Sequence, residues 1–235
     1  MRVATYNAHR GRGPAGRFRP DRILSVVAEI RPDLIALQEA QHYLARGRPM
    51  LDAAAIAALG LRALPPVEAP AHQGWRGNVL LARQEARVLE GPHGLRLGGM
   101  EPRGAILAVL DLGQGPLRVI GTHLSLGQAT RRQQAHALLD AMEAGLGRGL
   151  PTLLLGDLNE WRAGAGALEV LAPVFGPPPR APSFPAFRPL GSLDRILGWP
   201  RGLVAGLAAH DTPLARRASD HLPVVARLEM RRPAG

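Results

Sequence analysis

At 235 residues, with hydrophobic residues at 46% and charged residues at 20%, the chain has the composition of one packed globular domain, far from that of a disordered segment. It contains no cysteine, which excludes disulfides, thiolate metal sites and a cysteine nucleophile. The formal charge of +10 is carried by arginine with no lysine at any position, and is spread from Arg2 to Arg232; a basic face for an anionic partner and a merely solvated surface fit it equally well.

Residues 3–6 read as the first strand. No apolar signal-peptide core precedes them and no later apolar stretch is long enough to span a membrane, so the expectation is a soluble, cytoplasmic protein without membrane insertion. Pro20-Asp21 opens an amphipathic helix with Ile23, Val26, Val27 and Ile30 at helical spacing, and Arg31-Pro32 ends it, because the residue before proline avoids the α region. Residues 34–37 form the next strand, and 51–59 a second helix stopped by Gly60. Strands are expected at 79–82, 105–112 and 117–122, the last two joined as a hairpin through Gly113-Gln114-Gly115. The longest helix spans 129–146, and strands follow at 152–155, 193–197 and 222–228. The Pro-rich segment 173–189 reads as a surface loop. Alternating strands and helices argue for an α/β fold. Without repeat or linker the chain reads as one domain, 1–235.

Polar residues cluster at the ends of these strands. Asn7 follows 3–6, Glu39 follows 34–37, His123 follows 117–122, and Asp157 with Asn159 follows 152–155; Asp194 begins a strand and Asp220-His221 precedes the last one. Singly each has a plain structural explanation: Asn7 as a turn cap, Glu39 as a helix-capping acid, Asp220 as the partner of a solvated arginine, His123 as a satisfied histidine near the core. Jointly they mark one cleft, because α/β folds place their sites where loops converge at rigid strand ends.

The segments Thr5-Tyr6-Asn7, Leu37-Gln38-Glu39, Gly77-Asn78-Val79, Thr122-His123-Leu124, Gly156-Asp157-Leu158-Asn159, Leu193-Asp194-Arg195 and Ser219-Asp220-His221 resemble, in order, the motif set of the endonuclease/exonuclease/phosphatase superfamily. The resemblance runs from Asn7 to His221 and implies a DNase I-like four-layer α/β sandwich, two packed mixed β-sheets flanked by helices. It also implies a metal-dependent phosphoesterase. Asn7, Glu39 and Asp220 would hold Mg²⁺ or Mn²⁺, hard ions that take carboxylate, amide and water oxygens. Asp194 would orient His221, and Asp157 with Asn159 would position the attacking water and contact the phosphate, the base being either Asp157 or His221. His123 resembles the histidine of DNase I-like and sphingomyelinase-like members, where abasic-site endonucleases carry tyrosine, which argues against an abasic-site enzyme. Asn7 is followed by Ala8 and His9, without the acid that abasic-site enzymes place close behind their first Asn.

No member of the motif set is missing, which favours an active hydrolase over a silent member that only binds phosphorylated ligands. Nucleic acid, phospholipid and small phosphate esters compete as substrates. Asn78, Arg76 and Arg103 are expected to bind substrate, with Arg10, Arg12 and Arg17 completing an arginine rim. Trp75, Trp161, Phe184 and Phe187 are candidate stacking residues whose alternative role is loop packing. A phosphodiester is the expected substrate, with nucleic acid ahead of lipid, and the chain is expected to act as a monomer.

Overall fold

Period-two alternation sorts the strand side chains into two populations, and that sorting builds the layers. In the computed structural model, which describes residues 1–42 and 48–230, the elements run β1 (Arg2–Asn7), α1 (Pro20–Ile30), β2 (Leu34–Gln38), α2 (Ala53–Ala58), β3 (Leu61–Ala63), β4 (Val79–Arg83), β5 (Arg87–Arg96), β6 (Gly104–Asp111), β7 (Pro116–His123), α3 (Gln128–Ala144), β8 (Thr152–Asp157), α4 (Gly166–Phe175), β9 (Asp194–Trp199), β10 (Val204–Ala209), α5 (Ala215–Ala218) and β11 (Val224–Leu228). One sheet has the order β10-β11-β1-β2-β4-β3 and the other β5-β6-β7-β8-β9. β1 runs parallel to β2 and β7 parallel to β8, while the remaining pairs are antiparallel, so both sheets are mixed.

Three apolar clusters correspond to the three interfaces of a four-layer sandwich. Between the sheets lie Val3, Leu34, Ala36 and Leu80 from one and Ile106, Val119, Leu153, Leu155 and Ile196 from the other. Ala4, Tyr6, Ile35 and Leu37 point the opposite way, onto the α1 stripe of Ile23, Val26, Val27 and Ile30. Ile120, Leu154 and Leu197 meet Leu138 and Met142 of α3 and Leu168, Leu171 and Phe175 of α4. Each face of each sheet is therefore covered.

Several elements differ from the sequence reading. The segment assigned to a loop from residue 173 is helical up to Phe175, because Leu168 and Leu171 are buried against α3 and Pro173 falls within α4. β3, β5, β10, α4 and α5 are additional. β5 was hidden by Gly91-Pro92 and Gly94 and by two register irregularities, as expected of an edge strand. β10, also at an edge, has small residues and a register shift between Ala205 and Ala208.

Two glycines bring the site's strands together. At Gly121 a Cβ would sit 2.7 Å from Leu80 Cδ2 of the facing sheet, so the sheets touch just behind His123. At Gly156 a Cβ would lie 1.8 Å from the Thr122 carbonyl oxygen of the neighbouring strand. Gly156→Ala is therefore expected to part β7 from β8, at a cost at or above the upper end of the roughly 1–3 kcal/mol of overpacked cores. Urea unfolding measures it, and a midpoint equal to that of the parent contradicts the close approach.

Candidate active site

The inward-facing sets of β1, β7 and β8 end in polar residues at one end of the sandwich. Val3 faces the other sheet, so Thr5 and Asn7 do too; Leu153 and Leu155 lead to Asp157, and Val119 leads to His123. Pairing then fixes the neighbours. His123 stands opposite Asp157 on β8, and Asp157 opposite Asp194 on β9.

Asp157 is the centre of the resulting network. Its Oδ2 accepts from Asn7 Nδ2 (2.9 Å), a hydrogen bond from one sheet to the other, and its Oδ1 accepts from the backbone N–H of Asn159 (2.9 Å). His123 Nε2 and His221 Nε2 lie 3.5 and 3.8 Å from the same Oδ2. Behind it, Asp194 Oδ2 accepts from His221 Nδ1 (2.8 Å) and from Ser183 Oγ (2.5 Å). Burial alone would lower the His221 pKa, but the Asp194 charge and hydrogen bond, helped by Asp157 and Asp220, outweigh it and push it up to about 10.

His123 is shifted the other way. Burial lowers its pKa to about 4, with the Arg103 charge adding to the effect and Asp157 opposing it. Arg103 has no lone pair, so it donates to Nδ1 (2.8 Å) and the ring proton sits on Nε2, towards Asp157. Asn159 Nδ2 donates to the Leu124 carbonyl (2.9 Å) and lies 3.1 Å from that ring nitrogen. Because the folded pKa is depressed, the unfolded chain binds the extra proton between about pH 6.5 and 4. The stabilisation is therefore present above that window and lost as pH falls through it, on the order of 3 kcal/mol at 1.36 kcal/mol per unit. Metal-free unfolding at pH 7 and pH 4.5 should differ less in His123→Asn than in the parent; equal differences contradict the shift.

Glu39 and Asp220 sit further out and are loosely held. Glu39 Oε2 lies 3.6 Å from Arg10 Nε, and Asp220 Oδ1 lies 3.4 Å from His9 Nδ1. Ser219 clips the last loop to the end of β1, its Oγ donating to the Asn7 carbonyl (2.7 Å). Beside these residues opens a cleft of ≈ 610 Å³ lined by Glu39, His123, Arg10, Arg76 and Arg103, among others. Of the expected arginine rim, Arg12 turns back to the Gly16 carbonyl (2.8 Å), and neither Arg12 nor Arg17 lines this cleft. Asn78 also lies outside that lining. Its buried Nδ2 donates to the Gly104 carbonyl (3.0 Å) and so ties the two sheets together, because it stands at the start of β4 facing β6.

Among the described residues, six non-glycine residues have positive φ, and five of them, His9, Arg10, Glu39, Arg76 and Asn159, belong to this end of the molecule. Backbone strain of this kind persists where surrounding contacts over-determine it and gathers at functional sites.

The chain matches the model of the endonuclease/exonuclease/phosphatase family over residues 4–221. It belongs to that family. A relative from Escherichia coli (strain K12), the uncharacterized protein YbhP, is 31% identical over 170 residues, which cover 67% of this chain and 64% of YbhP, just under two thirds of that protein's length. Among solved structures, the mannosyl-6-phosphatase of Bacteroides thetaiotaomicron shares the fold with a TM-score of 0.75 at 16% identity, covering 98% of this chain and 100% of that one. A Danio rerio TDP2 complexed with a single-strand DNA product does so with a TM-score of 0.67 at 14% identity, over 98% and 99% of the two chains. These identities establish a common fold only.

Within this family member two further residues support the site from outside the sequence motifs. Ser183 comes from the loop before β9 and is invisible until that loop folds onto Asp194. Glu160, one residue beyond Asn159, is buried and pairs with Arg131 of α3 (3.1 Å), which also donates to the Leu126 carbonyl. The run Gly156-Asp157-Leu158-Asn159-Glu160 held the signal, since an acid there needs a partner. Among the described residues no helix is long and apolar enough to cross a membrane.

Proposed function

We propose that the protein is a divalent-metal-dependent phosphoesterase that hydrolyses a phosphodiester, with nucleic acid as the leading substrate class. The observation that carries this reading is the Asp194–His221 pair set against Asp157, beside a cleft walled by three arginines. In this reading Asp157 and Asn159 align the attacking water. The proton goes to Asp157, whose Oδ2 is shared between the two sheets and lies within 4 Å of both imidazoles. His221, held by Asp194, and His123, held by Arg103, donate hydrogen bonds to the phosphoryl oxygens, and Arg76 and Arg103 offset their charge.

Asn7, Glu39 and Asp220 would hold Mg²⁺ or Mn²⁺. The donor set fits: two carboxylates and an amide oxygen suit a hard cation, and neither carboxylate is engaged at closer than 3.3 Å by a side-chain donor. Asp157, Asp194 and His221 also bring ligand atoms within 4.8 Å of one another. There, however, the His221 ring itself neutralises the acids, and Asp194 Oδ2 is already taken by two donors. When bound, the ion supplies charge neutralisation of the phosphoryl oxygens.

Trp161 supports a nucleic-acid substrate. It packs on Gly191 and meets Phe184 edge-on at 5.9 Å, with Phe184 4.7 Å from the His221 ring, yet leaves 59% of its surface exposed. Such a wall can stack a base. Trp75, in contrast, is spent on packing, with its Nε1 donating to the Leu95 carbonyl. The fold is common to a phosphatase and to a protein crystallised with DNA product, so small esters are the second reading, favoured by a cleft volume of ≈ 610 Å³ in the range of small-ligand sites.

A panel of single- and double-stranded DNA, RNA, phospholipids and small phosphate esters with Mg²⁺ and Mn²⁺ tests the assignment. With three arginines contacting phosphates, KM on single-stranded DNA is expected to rise roughly 10–20-fold between 50 and 200 mM salt. A flat response with faster turnover of a small ester would overturn the nucleic-acid choice alone.

A further inference from the structure

Among the described residues the five most exposed large apolar side chains are Met100, Leu126, Trp161, Phe187 and Leu190, each at least 59% exposed. All five stand on loops at the active-site end of the sandwich, whereas Val67, Leu89 and Trp199 are less exposed and lie on other segments. Hydrogen bonds join those loops into one arc. The turn that carries Met100 leans on α3, where Gln134 Nε2 donates to the Gly98 carbonyl (3.0 Å) and to Oγ of Ser125 (2.9 Å), the residue before Leu126. Arg131 donates to the Leu126 carbonyl and to Oε2 of Glu160 (3.1 Å), the residue before Trp161. The Trp161 ring covers Gly191 and meets Phe184, whose carbonyl accepts from the Leu190 N–H (3.0 Å), and Phe187 belongs to the same loop. The arc thus starts beside Glu101 of the cleft and ends on the loop that sets Phe184 against His221, and none of its five side chains lines the cleft itself.

Single exposed apolar residues are ordinary, but a contiguous set of them marks a contact surface. Charge indicates what this one meets. The loops 98–103, 124–128, 160–164 and 184–191 hold two acids, and both are engaged: Glu101 by Arg103 (2.9 Å) and Glu160 by Arg131 (3.1 Å). Arg162 and Arg188, on the same loops, are exposed and make no ion pair among the described residues. Trp161 and Phe187 can stack a base, but Met100, Leu126 and Leu190 have no ring to offer one. A lipid interface takes all of these together, because aliphatic and aromatic side chains enter the acyl boundary while arginines meet anionic headgroups. We propose that this arc docks the protein peripherally on an anionic phospholipid bilayer, with the cleft open beside the headgroup layer. The inference goes beyond the proposed function and does not depend on which phosphodiester the site cleaves.

The test is co-sedimentation of the full chain with vesicles of phosphatidylcholine alone and of phosphatidylcholine and phosphatidylglycerol in equal parts. Binding to the mixed vesicles is expected, with tryptophan emission quenched by brominated acyl chains and that quenching lost in Trp161→Phe. Leu126→Ser combined with Leu190→Ser should lower the vesicle partition coefficient about tenfold or more, and Arg188→Gln about fivefold. Thermal melts should match the parent, since all three side chains are exposed. Absence of vesicle binding, binding indifferent to phosphatidylglycerol, or binding equal in the parent and the double variant overturns the proposal. So does a double variant that keeps vesicle binding but loses affinity for a single-stranded oligonucleotide, which makes the arc a nucleic-acid track. A parent that sediments as a dimer and a double variant that sediments as a monomer, with equal vesicle binding, make it a contact between copies and overturn the proposal too. The metal-dependent reading stands under each of these outcomes.

Discussion

Asp194→Asn is expected to lower kcat by roughly 10⁴-fold, the scale seen when a histidine loses the carboxylate that holds its tautomer, while KM changes by much less. The substitution keeps the shape of a fully buried side chain and can still meet Ser183 Oγ, so the fold should persist. What disappears is the negative charge 2.8 Å from His221 Nδ1. Burial lowers the His221 pKa and the acids raise it to about 10, so removing the first of those acids moves the pKa down. The limb of the pH–rate profile controlled by His221 should therefore shift to lower pH. Metal-free stability gives a second reading. A raised folded pKa contributes stability that is complete below the unfolded value near 6.5 and is lost as pH rises through about 10. The deficit of the variant should accordingly be largest at acid pH. Coincident pH profiles for variant and parent would remove the pair from the mechanism.

Glu39→Gln is expected to weaken Mg²⁺ and Mn²⁺ binding by more than the roughly 10–100-fold that follows loss of an outer partner, and to remove turnover with it. Glutamine fills the same volume and leaves Arg10 one neutral acceptor in place of an acid at 3.6 Å, a contact too long and too exposed to support the fold. Calorimetry with each metal and a thermal melt of the apo-protein separate the two effects. Unchanged metal affinity together with unchanged turnover would exclude Glu39 from the site.

Apolar runs in the strands and the helical stripe of Ile23, Val26, Val27 and Ile30 are local properties, and they were sufficient for the α/β class, whereas the layered sandwich followed from the resemblance of the motif set. Polar residues that interrupt apolar runs were equally legible, because a run such as 152–155 followed by Gly-Asp-Leu-Asn has no apolar reason to end that way. β5 and β10 were not legible, since an edge strand is held by one neighbour and tolerates the Gly, Pro and bulges that erase alternation. Only the tertiary structure decided which polar residues meet. Register puts His123, Asp157 and Asp194 side by side, packing of the sheets brings Asn7 to Asp157 across 150 positions of sequence, and folding of the 176–193 loop delivers Ser183 to Asp194. The same holds for the arginines. Arg10, Arg76 and Arg103 reach the cleft while Arg12, two residues from Arg10, turns away, because the left-handed turn at His9 and Arg10 sets the direction of the chain. A sequence reports which residues are charged, but the direction of a side chain depends on a backbone conformation that distant contacts impose.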